Sequence, residues 1–115
     1  RRDGHPGCWC DVEGLVPRKI GALGLRIERG VSYHGIALNI DPDLADFGLI
    51  DACGMPGVIS TSIAREQGRA DEAPSTARVR EAGSTFAAAF GRAIDAPLEW
   101  VAPEALEAAP AGARG

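Results

Sequence analysis

Residues 19–40 constrain the fold more than any other part of the chain. The run L-R-I-E-R at residues 25–29 alternates apolar and charged side chains, the period of a strand with one face buried. Ile20 and Ala22 share one parity in this stretch, and Leu23, Leu25 and Ile27 share the other. Arg29 and Gly30 then form a tight turn. Residues 31–40, V-S-Y-H-G-I-A-L-N-I, read as the returning strand of an antiparallel hairpin.

The flanks complete an α+β pattern. Residues 7–12 (G-C-W-C-D-V) read as a short strand, and residues 13–17 as a turn. After the hairpin, Asp41 is placed to cap a short helical turn beginning at Pro42, with Leu44, Phe47 and Leu49 docking on the sheet. Cys53-Gly54-Met55-Pro56-Gly57 is a loop of turn residues. Residues 62–67 make one or two helical turns that Gly68 closes, and residues 69–74 are a polar linker. Residues 75–96 form the longest helix, with Val79, Ala82, Phe86, Ala89, Phe90 and Ile94 at spacings of three and four. Gly83 and Gly91 weaken it by about 1 kcal/mol each relative to Ala. Residues 103–115, rich in Ala, Gly and Pro, read as a disordered tail. Strands first and helices after predict an antiparallel or mixed sheet with helices on one side.

Length and charge narrow the function classes. A chain of 115 residues holds one small domain, and its 45% hydrophobic and 24% charged residues exclude collagen, coiled coil and wholesale disorder. A formal charge of −4 argues against a general nucleic-acid binder. No run of about 18 apolar residues is present to span a membrane. The chain opens on Arg1 with no charged-then-apolar leader, and its three cysteines fit no disulfide scaffold, so reduced thiols in a cytoplasmic setting are expected.

Few residues offer chemistry. Cys53 lies among small residues that leave a thiol sterically open, and it is either an inert cysteine or a nucleophile activated by a nearby cation. Lys19 is the one lysine beside eleven arginines. It is either a solvated strand end or a group that changes protonation, a job that arginine cannot do. The two are 34 residues apart, so spacing alone does not join them. His34 reads as structural, because alternation puts it and Tyr33 on opposite faces. His5, Cys8 and Cys10 give H-x2-C-x-C, a weak metal pattern that lacks a fourth ligand. Arg18, Lys19, Arg26 and Arg29 oppose only Glu28 nearby, a local basic strip that would suit an acidic partner.

The stretch R-K-I-G-A-L-G-L-R-I-E-R-G-V-S-Y-H-G-I-A-L-N-I-D-P-D-L, followed by D-A-C-G-M-P-G-V-I-S-T-S-I, resembles the lipoyl(octanoyl) transferase family. The resemblance joins a K-I-x-x-x-G strand, an H-G-x-A-L-N strand and a C-G loop, and covers residues 4–63. It implies the fold shared by biotin and lipoate protein ligases, with residues 1–102 as the C-terminal part of such a catalytic domain, incomplete here. It also implies transfer of an octanoyl group from acyl carrier protein to a lysine of lipoyl domains. Those domains belong to 2-oxoacid dehydrogenase complexes and to the glycine cleavage H protein. No metal, nucleotide or other cofactor, no nucleic acid and no membrane are implied. Cys53 matches the nucleophile, and Lys19 the residue that lowers its pKa and moves protons. Ala22, Leu23, Gly24, Gly35, Ile36 and Ala37 match the lining of the acyl cleft.

The family's upstream segment, R-G-G-x-x-x-x-H-G-P-G-Q, is not among these residues, and the later His34-Gly35 does not replace it. The isolated 115-residue chain is therefore expected to have little activity. The other readings are a non-catalytic fragment or module that binds acyl carrier or lipoyl domains, and an ATP-using ligase, which does not need the C-G nucleophile.

Overall fold

The structure is a computed structural model that describes residues 4–49 and 57–107. The chain divides into two compact units, Arg1–Arg80 and Glu81–Gly115. Among the described residues the first unit carries a four-stranded sheet: β1 (Cys8–Cys10), β2 (Arg18–Glu28), β3 (Val31–Leu38) and β4 (Ile59–Ser60). β1 and β3 run antiparallel to β2, and β4 runs parallel to it. The α+β class expected from the sequence is what is observed.

The hairpin forms as its sequence requires. Arg29 and Gly30 both take positive φ, +51° and +79°, the pairing that a two-residue I′ turn uses to match strand twist. Glu28 then faces Val31, and the ladder runs back without interruption to Gly21 opposite Leu38. β3 stops two residues short of the expected Ile40, and Asn39 supplies the reason. Its backbone N–H donates to the Ile20 carbonyl (2.9 Å), its own carbonyl accepts from the Ile63 N–H (2.9 Å), and its side-chain amide donates to the Thr61 carbonyl (3.0 Å). The Ile20 bond is the last of the ladder, and the chain leaves there because the other two partners, Ile63 and Thr61, lie off it.

Edge bookkeeping then places β4. A strand has two edges, and β1 occupies one edge of β2 from Arg18 to Gly21. β4 pairs with Arg18 and Lys19, so it must lie on the other edge, which β3 takes over from Gly21 onward.

Short helices follow. Ser62 caps α1 (Ile63–Glu66), its hydroxyl accepting from the Arg65 N–H at 3.2 Å, and Gly68 closes the segment with φ +72°. A 3-10 turn spans Leu44–Leu49, and its cap is Asp43, which accepts from the Ala45 N–H at 2.9 Å. The expected cap, Asp41, has another task. Its carboxylate accepts from the Ser75 N–H (2.7 Å) and from Arg78 Nε (2.9 Å), which ties the β3 exit to the start of α2 (Thr76–Ala93). Leu44 and Phe47 are half-buried, but Leu49 is exposed, against expectation. Side chains three apart eclipse in a 3-10 turn, so Leu49 leaves the side that Leu44 and Phe47 share.

α2 ends before the expected Ala96. Asp95 takes φ +52°, its N–H reaches the Arg92 carbonyl (3.4 Å), and the Ala96 N–H reaches the Gly91 carbonyl (3.0 Å). These two bonds are a Schellman closure. Phe86 and Phe90, one turn apart, stack with centroids 6.2 Å apart. At the start of the tail that the composition marks as disordered, Pro103–Glu107 forms a short helix, α3. No helix among the described residues is long and apolar enough to cross a membrane.

The most buried side chains are not the hairpin's apolar ones. Among the described residues they are Lys19, Thr61, Ser62 and Ala64, all at the junction of β2, β4 and α1. Leu23, Leu25 and Ile27 remain 53%, 60% and 70% exposed.

Candidate active site

Lys19 is 6% exposed, an unusual place for a lysine unless something partners its charge. None of the ion pairs among the described residues includes it. Glu66, whose helix packs at the same junction, is engaged on the other side of the strand. Glu66 Oε1 accepts from Arg18 Nε (2.8 Å) and Thr61 Oγ1 (2.7 Å), while Oε2 accepts from Arg18 Nη2 (3.0 Å). Arg18 and Lys19 are adjacent on β2 and so point to opposite faces. The carboxylate thus stays on the arginine's face.

Two features of β1 and its approach enclose the lysine. Cys8 opposes Gly21 while Trp9 opposes Lys19, so one step on β1 matches two on β2. This bulge re-aims Trp9 onto the face of Lys19. The Lys19 Nζ lies 5.8 Å from the centroid of the Trp9 ring, within cation–π range. The ring is held in turn, its Nε1 donating to the His5 carbonyl at 3.1 Å. Gly7, with φ +125°, packs on the lysine stem so tightly that a Cβ there would lie 2.9 Å from Lys19 Cε and 2.4 Å from the Gly21 oxygen.

The Arg18–Glu66–Thr61 cluster fixes the scaffold beside Lys19. The Thr61 N–H donates to the Lys19 carbonyl (2.9 Å), so β4 and α1 are anchored on the lysine's own backbone. Hydrogen bonds from Arg18, then Thr61, pull the Glu66 carboxyl down to about 2 from its ordinary 4.5. A depressed carboxylate contributes stability that is complete above its unfolded value and lost as pH falls towards the folded one. The melting temperature is therefore expected to drop between about pH 5 and pH 2. Glu66→Gln should remove much of that dependence and leave the share carried by Asp41, whose carboxyl is also held low, first by the Ser75 N–H. Equal pH slopes in the two proteins would exclude this account.

The six residues expected to line an acyl cleft come together. Ala22 pairs with Ala37, Leu23 with Ile36, and Gly24 with Gly35, three successive rungs of the β2–β3 ladder. The bulge resets the alternation: Gly21 faces with Cys8 and Lys19 with Trp9, so Ala22 and Gly24, opposite Ala37 and Gly35, share the lysine's face as a track of small residues, while Leu23, Leu25 and Ile27 stand exposed on the other. Ser60, the β4 partner of Lys19, is four residues after Pro56 in sequence. Cys53 and the rest of its loop at 50–56 lie outside the described residues.

Two smaller expectations change. The rings of Tyr33 and His34 lie 4.8 Å apart rather than on opposite faces, because His34 takes φ +66° and breaks the pleat. The basic strip is largely neutralised internally. Arg18 binds Glu66 and Asp11, and Arg26 lies 3.6 Å from Glu28. Cys8 and Cys10 are free thiols, with burial the leading cause that pushes Cys10 up, and no group of three potential metal ligands occurs among the described residues. Sequence reasoning missed Trp9, Gly7, Asn39 and Thr61. Only the asparagine left a trace, as the last residue of H-G-x-A-L-N.

The model of the lipoyl protein ligase A/B catalytic domain matches residues 1–82. The chain belongs to that family. Within the lipoyl protein ligase A/B family it is 54% identical over 54 residues to the octanoyltransferase of Maricaulis maris (strain MCS10), which covers 47% of this chain and 24% of the relative. It is 47% identical over 70 residues to the octanoyltransferase of Mycobacterium sp. (strain KMS), covering 60% and 29%. Against the octanoyltransferase of Mycobacterium tuberculosis (strain ATCC 25177 / H37Ra) it is 41% identical over 98 residues, covering 85% and 39%. The chain thus spans between a quarter and two-fifths of the length of these relatives.

Proposed function

We propose that residues 1–102 are the C-terminal part of a catalytic domain that transfers an octanoyl group from acyl carrier protein to a lysine of lipoyl domains. The observation that carries this reading is Lys19, buried without a carboxylate partner among the described residues and followed along β2 by the small-residue rungs Ala22–Ala37 and Gly24–Gly35. The octanoyltransferase relatives support the same reaction class.

The Cys53 thiolate attacks the carrier's thioester carbonyl, and the carrier's thiolate leaves with a proton that Lys19 supplies. The acyl chain then lies along the rungs Ala22–Ala37 and Gly24–Gly35, each buried methylene contributing about 0.8 kcal/mol. Small side chains at these four positions let it lie against backbone, and Leu23 and Ile36 form the rung between them. In the second half the acceptor's lysine amine attacks the enzyme thioester, an amide forms, and Cys53 is released while Lys19 takes up the amine's proton. The first exchange is nearly isoenergetic and amide formation is downhill, so the chemistry needs no metal or nucleotide. The acceptors are the lipoyl domains of 2-oxoacid dehydrogenase complexes and the H protein, which places the reaction in the cytoplasm.

The intact protein, mixed with octanoyl acyl carrier protein before any acceptor is added, should gain one octanoyl group. That group should be cleaved by hydroxylamine and map to Cys53 by peptide mass spectrometry. An acyl group on another residue, or none at all, would overturn the reading. The 115-residue chain alone should acylate slowly or not at all, because it covers at most 39% of these three relatives.

A further inference from the structure

We propose that Trp9 is a positioning residue for Lys19: the indole face, brought across the lysine by the bulge between β1 and β2, holds the ammonium in place beside the small-residue rungs of the hairpin. This rests on the acyl-transfer reading for its consequence, though not for its geometry. A lysine side chain has four rotatable bonds and adopts many conformations when nothing confines it. Here Gly7 confines the stem, and the Trp9 ring lies 5.8 Å from the Nζ. The ring is itself fixed by its Nε1 bond to the His5 carbonyl and by edge-on contact with the His5 ring at 5.9 Å.

The bulge makes this arrangement specific. In a regular ladder with Cys8 opposite Gly21, Trp9 would oppose Ile20 and project to the other face. Skipping one residue of β2 puts the largest side chain of β1 onto the lysine. The bulge breaks a run of pairing on a strand only three residues long, so what it gains is orientation of this side chain. The Arg18–Glu66 pair fixes the backbone beneath, while Trp9 fixes the end of the side chain.

Lys19 is the sole lysine of these 115 residues, so a peptide from this region reports its reactivity without mutating it. The intact protein and its Trp9→Phe and Trp9→Leu variants would be labelled with an amine-reactive ester, and the peptide containing Lys19 quantified by mass spectrometry. Trp9→Leu keeps apolar bulk but loses the ring, and Lys19 labelling should quicken at least about twofold and up to about thirtyfold, the range from an exposed to a desolvated cation–π contact. Trp9→Phe should stay close to wild type. In the acyl-transfer assay Trp9→Leu should lower kcat with KM for the carrier substrate unchanged, and Trp9→Phe should restore it. Labelling that is the same in all three proteins, or equally fast in both variants, overturns the proposal. So does a fall in kcat that the phenylalanine fails to rescue. A second measurement avoids changing Trp9 at all. In the intact protein carrying fluorotryptophan, Lys19→Met must shift the fluorine NMR resonance assigned to Trp9, and an unchanged resonance overturns the proposal. If labelling and the resonance behave as expected while no acyl group is transferred, the functional reading fails and the contact survives.

Discussion

Lys19→Met in the intact protein is expected to lower octanoyl transfer by about 10²–10⁴-fold, the range that a positioned acid or base contributes. Methionine keeps the length and the apolar stem that Gly7 and Trp9 enclose, so the site should stay packed while the ammonium is lost. The loss acts twice, on activation of the thiol and on proton delivery to the leaving group. Lys19→Arg separates these. A guanidinium keeps the charge that favours a thiolate but does not give up its proton near neutral pH. The arginine variant should therefore accept the acyl group from carrier faster than the methionine variant does. It should still stall when the acceptor amine must be deprotonated. Single-turnover measurements of each half-reaction test this. Transfer within threefold of wild type in Lys19→Met would remove the lysine from the mechanism.

That expectation was partly legible in the chain. The alternation of L-R-I-E-R and the Arg29-Gly30 pair are local signals, and local physics fixes the hairpin and its register. The three rungs that join Ala22, Leu23 and Gly24 to Gly35, Ile36 and Ala37 follow from that register, since the turn sets which residues face each other. The burial of Lys19 was not legible. It comes from β1 and β4 arriving on opposite edges of β2: the bulge that turns Trp9 onto the lysine has no local signal, and the β4 pairing depends on residues distant in sequence.

The same limit explains the misplaced caps and edges. Asp41 before Pro42 has the local chemistry of a cap, but the Ser75 N–H and the Arg78 guanidinium, more than 30 residues later, claim its carboxylate. Asn39 has the pattern of a strand interior, yet two hydrogen bonds, to Thr61 and Ile63, draw it off the ladder. His34 breaks alternation through a positive φ that no neighbour announces. Arg18 and Lys19, read together as one basic strip, are divided by the pleat. One is spent in an ion-pair cluster with Glu66, and the other is kept apart from carboxylates among the described residues.

Two glycine-to-alanine changes should move stability in opposite directions, and the contrast tests the packing around the lysine. Gly7→Ala forces a Cβ to within 2.4 Å of the Gly21 carbonyl oxygen and 2.9 Å of Lys19 Cε, on a residue with φ +125°. The carbonyl belongs to backbone already paired with Cys8 and Leu38, so it has little freedom to give way. Strain at positive φ adds to overpacking, and the intact protein should lose about 2–4 kcal/mol. Gly83→Ala changes a helix interior where an added Cβ meets nothing within 4 Å. It should gain about 0.5–1 kcal/mol from helix propensity. Urea midpoints at constant m-value measure both. Because Gly7 touches the lysine stem, Gly7→Ala should also slow acyl transfer in molecules that remain folded. Gly83→Ala, remote from Lys19 along the chain, should not. A Gly7→Ala protein as stable as wild type would mean that β1 does not close over Lys19, and the enclosure on which the site depends would go with it.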